Sequence, residues 1–223
     1  MDDIEGAKRR AGERAVERVA DGQTVGLGSG STAAHAIRAL GRRVDAGLDV
    51  SGVPTSVQSR QVAREVGVPV VAPEDVSGVD VAVDGADQVA GDALIKGGGG
   101  AHAREKLIDA AAGAFLVVVD ERKLSDDLDE PVPVEVLPGA RSIVAADVAE
   151  LGGEPTLRRA TEKSGPVVTD NGNLILDCAF GVIESPAELG ADLDSLPGVV
   201  EHGLFVGLAD EVYAGTEDGV RQP

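Results

Sequence analysis

The stretch Thr24-Val25-Gly26-Leu27-Gly28-Ser29-Gly30-Ser31-Thr32 decides the fold class. Its first residues are apolar or β-branched and predict a short strand that ends at Leu27. A loop of glycine and serine follows, and residues 33–40 predict a helix that stops at Gly41. A strand, a glycine-rich loop and a helix in this order are typical of the first βα unit of an α/β fold.

The loop of this unit favours a single phosphate over a dinucleotide. Serine stands where the dinucleotide fingerprint needs its third glycine, and Asp49 opens the next strand instead of closing it. The hydroxyls of Ser29, Ser31 and Thr32 lie at a predicted helix N-terminus, where N–H groups and the helix dipole attract an anion. Simple N-capping by Ser31 or Thr32 is the alternative, and the two interpretations are compatible.

Polar loops follow several predicted strands at the point where each strand ends. Charged residues come directly after strands that end at Val83 and Val119, and the predicted phosphate-binding loop follows Leu27. The glycine loop after Lys96 is the fourth polar loop of this kind. Because ligands of open α/β sheets bind beyond the carboxyl ends of the strands, we expect all four loops at one edge of a parallel sheet.

Asp84 and Asp87 flank Gly85 and Ala86 at one of these strand ends. Two carboxylates so close in sequence can bind a metal ion, act as acid and base, or cap the next turn. The sequence pattern leaves these three alternatives open.

Four consecutive glycines, Gly97 to Gly100, separate Lys96 from a predicted helix that carries Glu105 in its first turns. Such a run is poor in helix and strand, because glycine loses the most backbone entropy on ordering. It is either a flexible turn or a loop whose bare N–H groups hold an anion or a developing oxyanion.

The second half of the chain has a different pattern. Residues 131–205 show a β-α-β-β-α order, with a tight turn at Asn171-Gly172, which is typical of a small α+β domain with a ferredoxin-like layout. Residues 206–223 are expected to return to the first domain. We therefore predict a Rossmann-like domain formed by 1–130 and 206–223, and a small α+β domain formed by 131–205.

The net charge of −19 argues against nucleic acids and anionic membranes as partners. The acidic residues are spread along the chain, as in cytoplasmic proteins of salt-loving archaea. Cys178 is the only cysteine, which excludes an internal disulfide and fits the cytoplasm. The three histidines and this cysteine show no ligand spacing, so we expect no dedicated metal site. Of the five lysines, Lys106 and Lys163 are expected to be ordinary surface residues.

Seven motifs, in the same order and over nearly the whole chain, resemble those of the type A ribose-5-phosphate isomerases. Each motif is weak by itself, but the ordered set is highly specific. The motifs are residues 26–33 (GLGSGSTA), 84–87 (DGAD), 94–101 (LIKGGGGA), 104–106 (REK), 133–136 (PVEV), 168–173 (VTDNGN) and 197–205 (PGVVEHGLF).

The resemblance implies interconversion of ribose 5-phosphate and ribulose 5-phosphate without a metal or other cofactor, by a homodimer or homotetramer. It implies that Glu105 is the base, that Lys96 stabilises the enediolate, and that Asp84 and Asp87 bind sugar hydroxyls and assist ring opening. The substrate- and phosphate-binding residues that it implies are Lys8, Ser29, Gly30, Ser31, Thr32, Gly85, Ala86, Gly97, Gly98, Gly99 and Lys123.

The chain departs from the family pattern at Gln88, where glutamate is usual, which argues against an essential role for a carboxylate at this position. A related phosphosugar enzyme, such as an amino-sugar phosphate deaminase, is the first alternative function. A sugar-phosphate-binding regulator is the second, although such a regulator usually carries a basic DNA-binding region, which an acidic chain of this kind lacks.

The spread of acidic residues predicts that stability depends on salt. Molar KCl shortens the Debye length to ~3 Å and screens the repulsion among the carboxylates. We expect the free energy of unfolding to rise between about 0.1 M and about 3 M KCl, measured by denaturant titration at several salt concentrations. A free energy of unfolding that stays constant over this range would contradict the interpretation of the acidic surface.

Overall fold

The fold is described from a computed structural model, which describes residues 3–162 and 164–223. Lys163 lies outside the described residues. The helices are α1 (Ile4–Val16), α2 (Gly30–Asp45), α3 (Val57–Glu65), α4 (His102–Ala110), α5 (Arg141–Glu150) and α6 (Pro186–Asp194). The strands are β1 (Gln23–Leu27), β2 (Val50–Pro54), β3 (Val81–Asp84), β4 (Gln88–Ala90), β5 (Ala93–Ile95), β6 (Phe115–Asp120), β7 (Val132–Val136), β8 (Glu154–Leu157), β9 (Leu174–Ala179), β10 (Val199–His202), β11 (Leu204–Val206), β12 (Glu211–Gly215) and β13 (Val220–Arg221).

Two compact units divide the chain. Unit 1 comprises residues 1–86, 104–124 and 208–223, and unit 2 comprises residues 87–103 and 125–207. The division predicted from the sequence placed 87–103 and 125–130 with the first domain. Strand pairing accounts for the difference, because β4 and β5 pair with each other and β5 pairs with β11. None of these three strands joins the sheet of unit 1.

Unit 1 contains a six-stranded sheet in the order β13-β12-β6-β3-β1-β2. All neighbouring strands are parallel except the short β13, which pairs antiparallel with β12. When the five parallel strands β1, β2, β3, β6 and β12 are numbered 1 to 5 along the chain, their order in the sheet is 2-1-3-4-5. This order occurs in doubly wound α/β folds, whose ligands bind between strands 1 and 3, where the direction of the strand order reverses. The Rossmann-like fold class is therefore confirmed, and its switch point lies between β1 and β3.

The carboxyl ends of β1, β3 and β6 lie side by side, as the sequence predicts. Leu27 is paired with Val83, and Asp84 with Val117. The central β6 is buried at every residue, which is usual for a parallel strand covered on both faces. The Lys96 loop does not follow a strand of this sheet, contrary to the prediction, because it follows β5 of the antiparallel sheet β11-β5-β4.

Helix α2 continues past Gly41, where the sequence predicted its end. A Cβ atom at position 41 would come within 2.6 Å of the side chain and the carbonyl oxygen of Val66. Glycine at this position therefore allows close packing against the segment that follows α3. A glycine required by packing looks the same in a sequence as a glycine that ends a helix.

Unit 2 contains a four-stranded antiparallel sheet in the order β10-β7-β9-β8. With α5 between β7 and β8, and α6 between β9 and β10, this is the ferredoxin-like order 4-1-3-2, which confirms the predicted layout. One face of the sheet packs into the unit's hydrophobic core, together with residues such as Val144 of α5 and Leu193 of α6. The opposite face carries polar residues, including Glu135 and Asp177.

The helices are short. The longest within residues 3–162 and 164–223 is α2, with 16 residues. No helix in this part of the chain combines the length and the apolar character that crossing a bilayer requires.

Cys178 lies in the core of unit 2 and is fully buried. Burial, and then the nearby charge of Asp177, raise the pKa of its thiol to about 12. Because the thiolate is the reactive form, we expect iodoacetamide at about pH 8 to leave the native protein unlabelled and to label the unfolded chain readily. Mass spectrometry reports this single site directly, and equal labelling rates in the two states would contradict the described core.

Candidate active site

Asp84 connects the end of β3 to the loop that follows β1. Its side chain is completely buried. Its Oδ1 atom accepts hydrogen bonds from the backbone N–H groups of Ser29, at 2.9 Å, and Gly85, at 2.7 Å. The carboxylate thus lies at the switch point of the parallel sheet and helps to fix the loop before α2.

The hydroxyl of Ser29 is turned toward the protein. Its Oγ atom lies 2.9 Å from Oγ1 of Thr55 and 2.7 Å from Oγ of Ser56. Ser29 is the N-cap residue of α2, yet it makes no side-chain cap bond. The side-chain carbonyl of Gln58 instead accepts the N–H of Gly30, at 3.0 Å. Sequence reasoning missed these partners, because residues 55–58 follow a different strand and match no motif.

The other residues predicted for the phosphate differ in exposure. Ser31 is exposed and Thr32 is half-buried, both in the first turn of α2. Lys8 is half-buried on α1, where its ammonium group pairs with Glu5 at 2.8 Å. Hydrogen bonds from Lys8 and from His35 are the main causes that lower the pKa of Glu5.

Lys123 lies at the end of a short 3-10 helix, residues Glu121–Lys123, that follows β6. This turn is capped by Asp120, which accepts the Arg122 N–H. Burial by itself raises the pKa of Asp120, but hydrogen bonds and charge from Arg122 outweigh it and hold the pKa below its usual value. Asp120 is therefore ionised and anchors the segment that carries Lys123.

Glu105 lies in the first turn of α4, in the part of this helix that belongs to unit 1. Only 4% of its surface is exposed. Glutamate is rarely buried to this extent unless it is paired or functional, so its burial marks it as a candidate catalytic group.

The glycine loop of unit 2 has a defined conformation. Gly97 and Gly100 adopt φ values of +104° and +77°, a region that other residues avoid. The Gly98 N–H donates to Oδ2 of Asp87 at 2.7 Å, and the Gly100 N–H donates to the carbonyl of Gly97 at 2.9 Å. These bonds favour a loop of defined shape over a flexible turn.

Two N–H groups of this loop are engaged and two are available. Among the residues that the structure describes, the N–H groups of Gly98 and Gly100 have acceptors, whereas those of Gly97 and Gly99 have none. Gly99 is exposed. An anion at either N–H would displace no protein acceptor, but Gly99 is the exposed one of the two and Gly97 is buried.

Lys96 precedes this loop and is only 2% exposed. Its Nζ atom lies 5.3 Å from the centre of the Phe205 ring, within the range of a cation–π interaction. Its backbone N–H donates to the carbonyl of Gly203 at 2.8 Å. A buried lysine is rare, and this one is held at both its backbone and its ammonium end.

Gln88 has a structural role that explains its departure from the family pattern. Its Oε1 atom accepts the N–H groups of Asp129, at 2.9 Å, and Glu130, at 3.0 Å. Its Nε2 atom donates to the carboxylate of Asp129 at 2.6 Å. An amide can accept and donate in this way and an ionised carboxylate can only accept, so glutamine suits the position next to Asp129.

One cluster in unit 2 has donor atoms close enough to hold a metal ion: Asp194, Glu201 and His202. The backbone N–H of Leu204 donates to Nδ1 of His202 at 3.2 Å. In the neutral ring the proton must then lie on Nε2, which faces Asp194 at 3.2 Å. A metal ion at Nε2 would have to displace this proton, so hydrogen bonding explains the cluster better than a metal site.

The structure brings the predicted site residues together in two groups. Ser29, Asp84 and Gly85 meet in unit 1, and Asp87 meets Gly98 in unit 2. Ala86, which ends the first segment of unit 1 and follows Gly85 in the sequence, is half-buried. A common site for the whole predicted set stays a prediction.

Comparison with known proteins places this geometry in a family. A model of the family "Ribose 5-phosphate isomerase A (phosphoriboisomerase A)" matches residues 51–219. The chain belongs to the ribose 5-phosphate isomerase A family. Relatives named ribose-5-phosphate isomerase A occur in the halophilic archaea Natronomonas pharaonis and Haloarcula marismortui. The first is 65% identical over 97% of this chain and 96% of that protein, and the second is 66% identical over 96% and 93%.

Solved structures of this family share the whole fold. Ribose 5-phosphate isomerase A from Methanocaldococcus jannaschii is 44% identical, with a TM-score of 0.93 over 97% of both chains. A D-ribose-5-phosphate isomerase in complex with phospho-erythronic acid is 42% identical, with a TM-score of 0.96 over 99% of both chains.

The contacts of Gln88 predict the effect of restoring the usual glutamate. Gln88→Glu replaces the bond to Asp129 by contact between two carboxylates, which raises their pKa in the folded state. We expect a loss of about 1–3 kcal/mol in the free energy of unfolding at about pH 8, where both are ionised. The loss should shrink toward about pH 5, as the pair gains a shared proton.

Denaturant titration at both pH values measures this effect. Gln61→Glu is the matched control, because Gln61 is exposed on α3. Equal effects of the two substitutions at both pH values would show that the described contacts of Gln88 are wrong.

Proposed function

We propose that this protein interconverts D-ribose 5-phosphate and D-ribulose 5-phosphate, as its family membership indicates. The observation that carries the proposal is that two oppositely charged side chains, one on each side of the glycine loop in the sequence, are both buried. Glu105 follows this loop and Lys96 precedes it, and both are nearly excluded from solvent. Groups of this kind suit a reaction that moves a proton and develops negative charge.

Glu105 is the proposed base. In the open-chain aldose it takes the proton from C2, and the electron pair forms the C1–C2 double bond of an enediolate. The same carboxyl group then returns the proton to C1, while the O2 hydroxyl loses its proton and becomes the ketone of ribulose 5-phosphate. The proton lost by O2 is transferred to O1, so atoms and charge balance. One positioned base of this kind typically contributes ~10²–10⁴-fold to the rate.

Lys96 and the glycine loop are the proposed oxyanion site. The Lys96 ammonium group and the N–H groups of Gly97 and Gly99 can donate to the enediolate oxygens. The Gly98 N–H supports the loop instead, because it is bonded to Asp87. Loss of one oxyanion donor typically costs ~10²–10³-fold in kcat. Lysine suits this position, since its compact charge approaches an oxygen more closely than a guanidinium does.

Asp84 and Asp87 are proposed to bind sugar hydroxyls, with Gly85 and Ala86 between them, and to assist opening of the ring. The phosphate is proposed to bind at the N-terminus of α2. Here Ser31 and Thr32 present N–H and hydroxyl donors along the helix dipole, and Gly30, whose N–H is bonded to Gln58, is proposed to let the backbone come close to the phosphate. Ser29 contributes by fixing the loop through its bonds to Thr55 and Ser56.

Lys8 and Lys123 are proposed to complete the phosphate site. Lys8 can exchange its exposed partner Glu5 for a phosphate oxygen at little cost, because surface ion pairs are worth little. No step of the proposed mechanism uses a cofactor. A homodimer or homotetramer in the cytoplasm is the state in which we propose that the protein acts.

The alternatives raised by the sequence are not favoured. The matched family model and the relatives described above all carry an isomerase name, not that of a deaminase or a regulator.

Replacing Glu105 tests the proposed mechanism. Glu105→Gln keeps the size of the side chain and removes its basicity, so we expect kcat to fall by ~10²–10⁴-fold. Turnover of ribose 5-phosphate is measured in molar KCl, with ribulose 5-phosphate as the detected product. Glu65→Gln is the control, because Glu65 is an exposed glutamate on α3. Wild-type turnover by the Glu105→Gln protein would exclude Glu105 as the base.

A further inference from the structure

Arg158 contacts the glycine loop, although it matches no motif and lies 61 residues from Gly97 in sequence. It follows β8, and its backbone N–H donates to the carbonyl of Ile175 on the neighbouring β9 at 2.9 Å. Its side chain is 15% exposed. Arg158 is therefore largely buried within unit 2, and a buried arginine is expected to have a specific role.

The glycine loop packs on the polar face of the four-stranded sheet. Along β9, Cys178 points into the hydrophobic core, so Ile175 and Asp177 point to the opposite face. A Cβ atom at Gly100 would come within 3.0 Å of the Ile175 side chain. The loop and the sheet are therefore in direct contact within unit 2.

The guanidinium group of Arg158 joins the sheet to the loop. Its Nε atom donates to Oδ2 of Asp177 at 2.9 Å, and its Nη2 atom donates to Oδ1 of the same carboxylate. Its Nη1 atom donates to the carbonyl oxygens of Gly97, at 2.8 Å, and Gly98, at 3.1 Å. Asp177 thus holds the planar group through both Nε and Nη2, and the remaining Nη1 reaches two consecutive peptide units.

These contacts set the direction of the loop N–H groups. In a planar trans peptide, the N–H points away from the carbonyl of the preceding residue. The Gly97 carbonyl is bonded to Arg158, and the N–H of the same peptide unit is bonded to Asp87 from the other side. Because the Gly98 carbonyl also faces Arg158, the N–H of Gly99 must point away from it.

We propose that Arg158, held by Asp177, is a positioning residue that orients the peptide units of the glycine loop for isomerisation. This inference rests on the proposed function, in which the Gly99 N–H donates to the enediolate. Lysine cannot replace arginine here, because an ammonium group has no planar fork that bonds a carboxylate and two carbonyls at once. A misdirected N–H stabilises the transition state less and leaves phosphate binding unaffected.

Arg158→Lys tests the inference, with Arg159→Lys as the matched control because Arg159 is the exposed neighbour. We expect Arg158→Lys to lower kcat on the order of 10- to 100-fold and to change KM by less than about threefold. Arg159→Lys should leave both constants at their wild-type values. Thermal unfolding of each variant in molar KCl shows how much of each sample is folded at the assay temperature.

Asp177→Asn provides a second test that keeps the arginine in place. We expect it to lower kcat by less than Arg158→Lys does, and we expect the double variant to be no slower than Arg158→Lys, because both residues act through one contact. If Arg158→Lys does not fold, the kcat of folded Asp177→Asn decides: a decrease supports the inference, and a wild-type value overturns it.

Other outcomes separate this inference from the proposed function. A wild-type kcat in folded Arg158→Lys, or a decrease that only follows the unfolded fraction, overturns the positioning role while the isomerase function stands. Absence of ribose 5-phosphate turnover by the wild-type protein in molar KCl would instead overturn the proposed function itself.

Discussion

The burial of carboxylates is the constraint on which the loops of both units depend. A carboxylate removed from water costs free energy unless hydrogen-bond donors surround it. In unit 1, Asp84 is fully buried and takes the N–H groups of Ser29 and Gly85. The loop that begins α2 and the loop that follows β3 are therefore held by one side chain. The position of the helix N-terminus, where we propose that phosphate binds, follows from this contact.

The same constraint explains the turn at 169–173 in unit 2. Glu135 of β7 is fully buried, and its Oε1 atom accepts hydrogen bonds from the side chains of Thr169, Asn171 and Asn173, at 2.8–3.0 Å. The Asn-Gly pair is therefore more than a local turn signal, because Asn171 and Asn173 also supply hydrogen bonds that offset part of the cost of burying this side chain. Two motifs that lie far apart in the sequence, 133–136 and 168–173, are one structural feature.

The sequence predicted what depends on local pattern and missed what depends on distant contacts. The first βα unit, the adjacency of β1, β3 and β6, and the ferredoxin-like order were predictable, because hydrophobic period and turn residues specify them. The sheet of β5 was not predictable, because its pairing with β11 joins segments more than a hundred residues apart. Arg158 was missed for the same reason: nothing near it in the sequence indicates a contact with the glycine loop.

Molar salt explains how a protein with a net charge of −19 can bind the proposed anionic substrate. With a Debye length of ~3 Å in molar KCl, a substrate phosphate responds only to the groups that it touches, and the acidic surface no longer repels it. Acidic residues can then occupy the surface without weakening substrate binding, while basic residues are kept where they contact the substrate. Only five of the twenty basic residues are lysines, and three of them, Lys8, Lys96 and Lys123, have proposed roles at the substrate. A compact ammonium group still attracts an oxyanion in molar salt. The two groups are in direct contact, so mobile ions cannot come between them and screen the attraction.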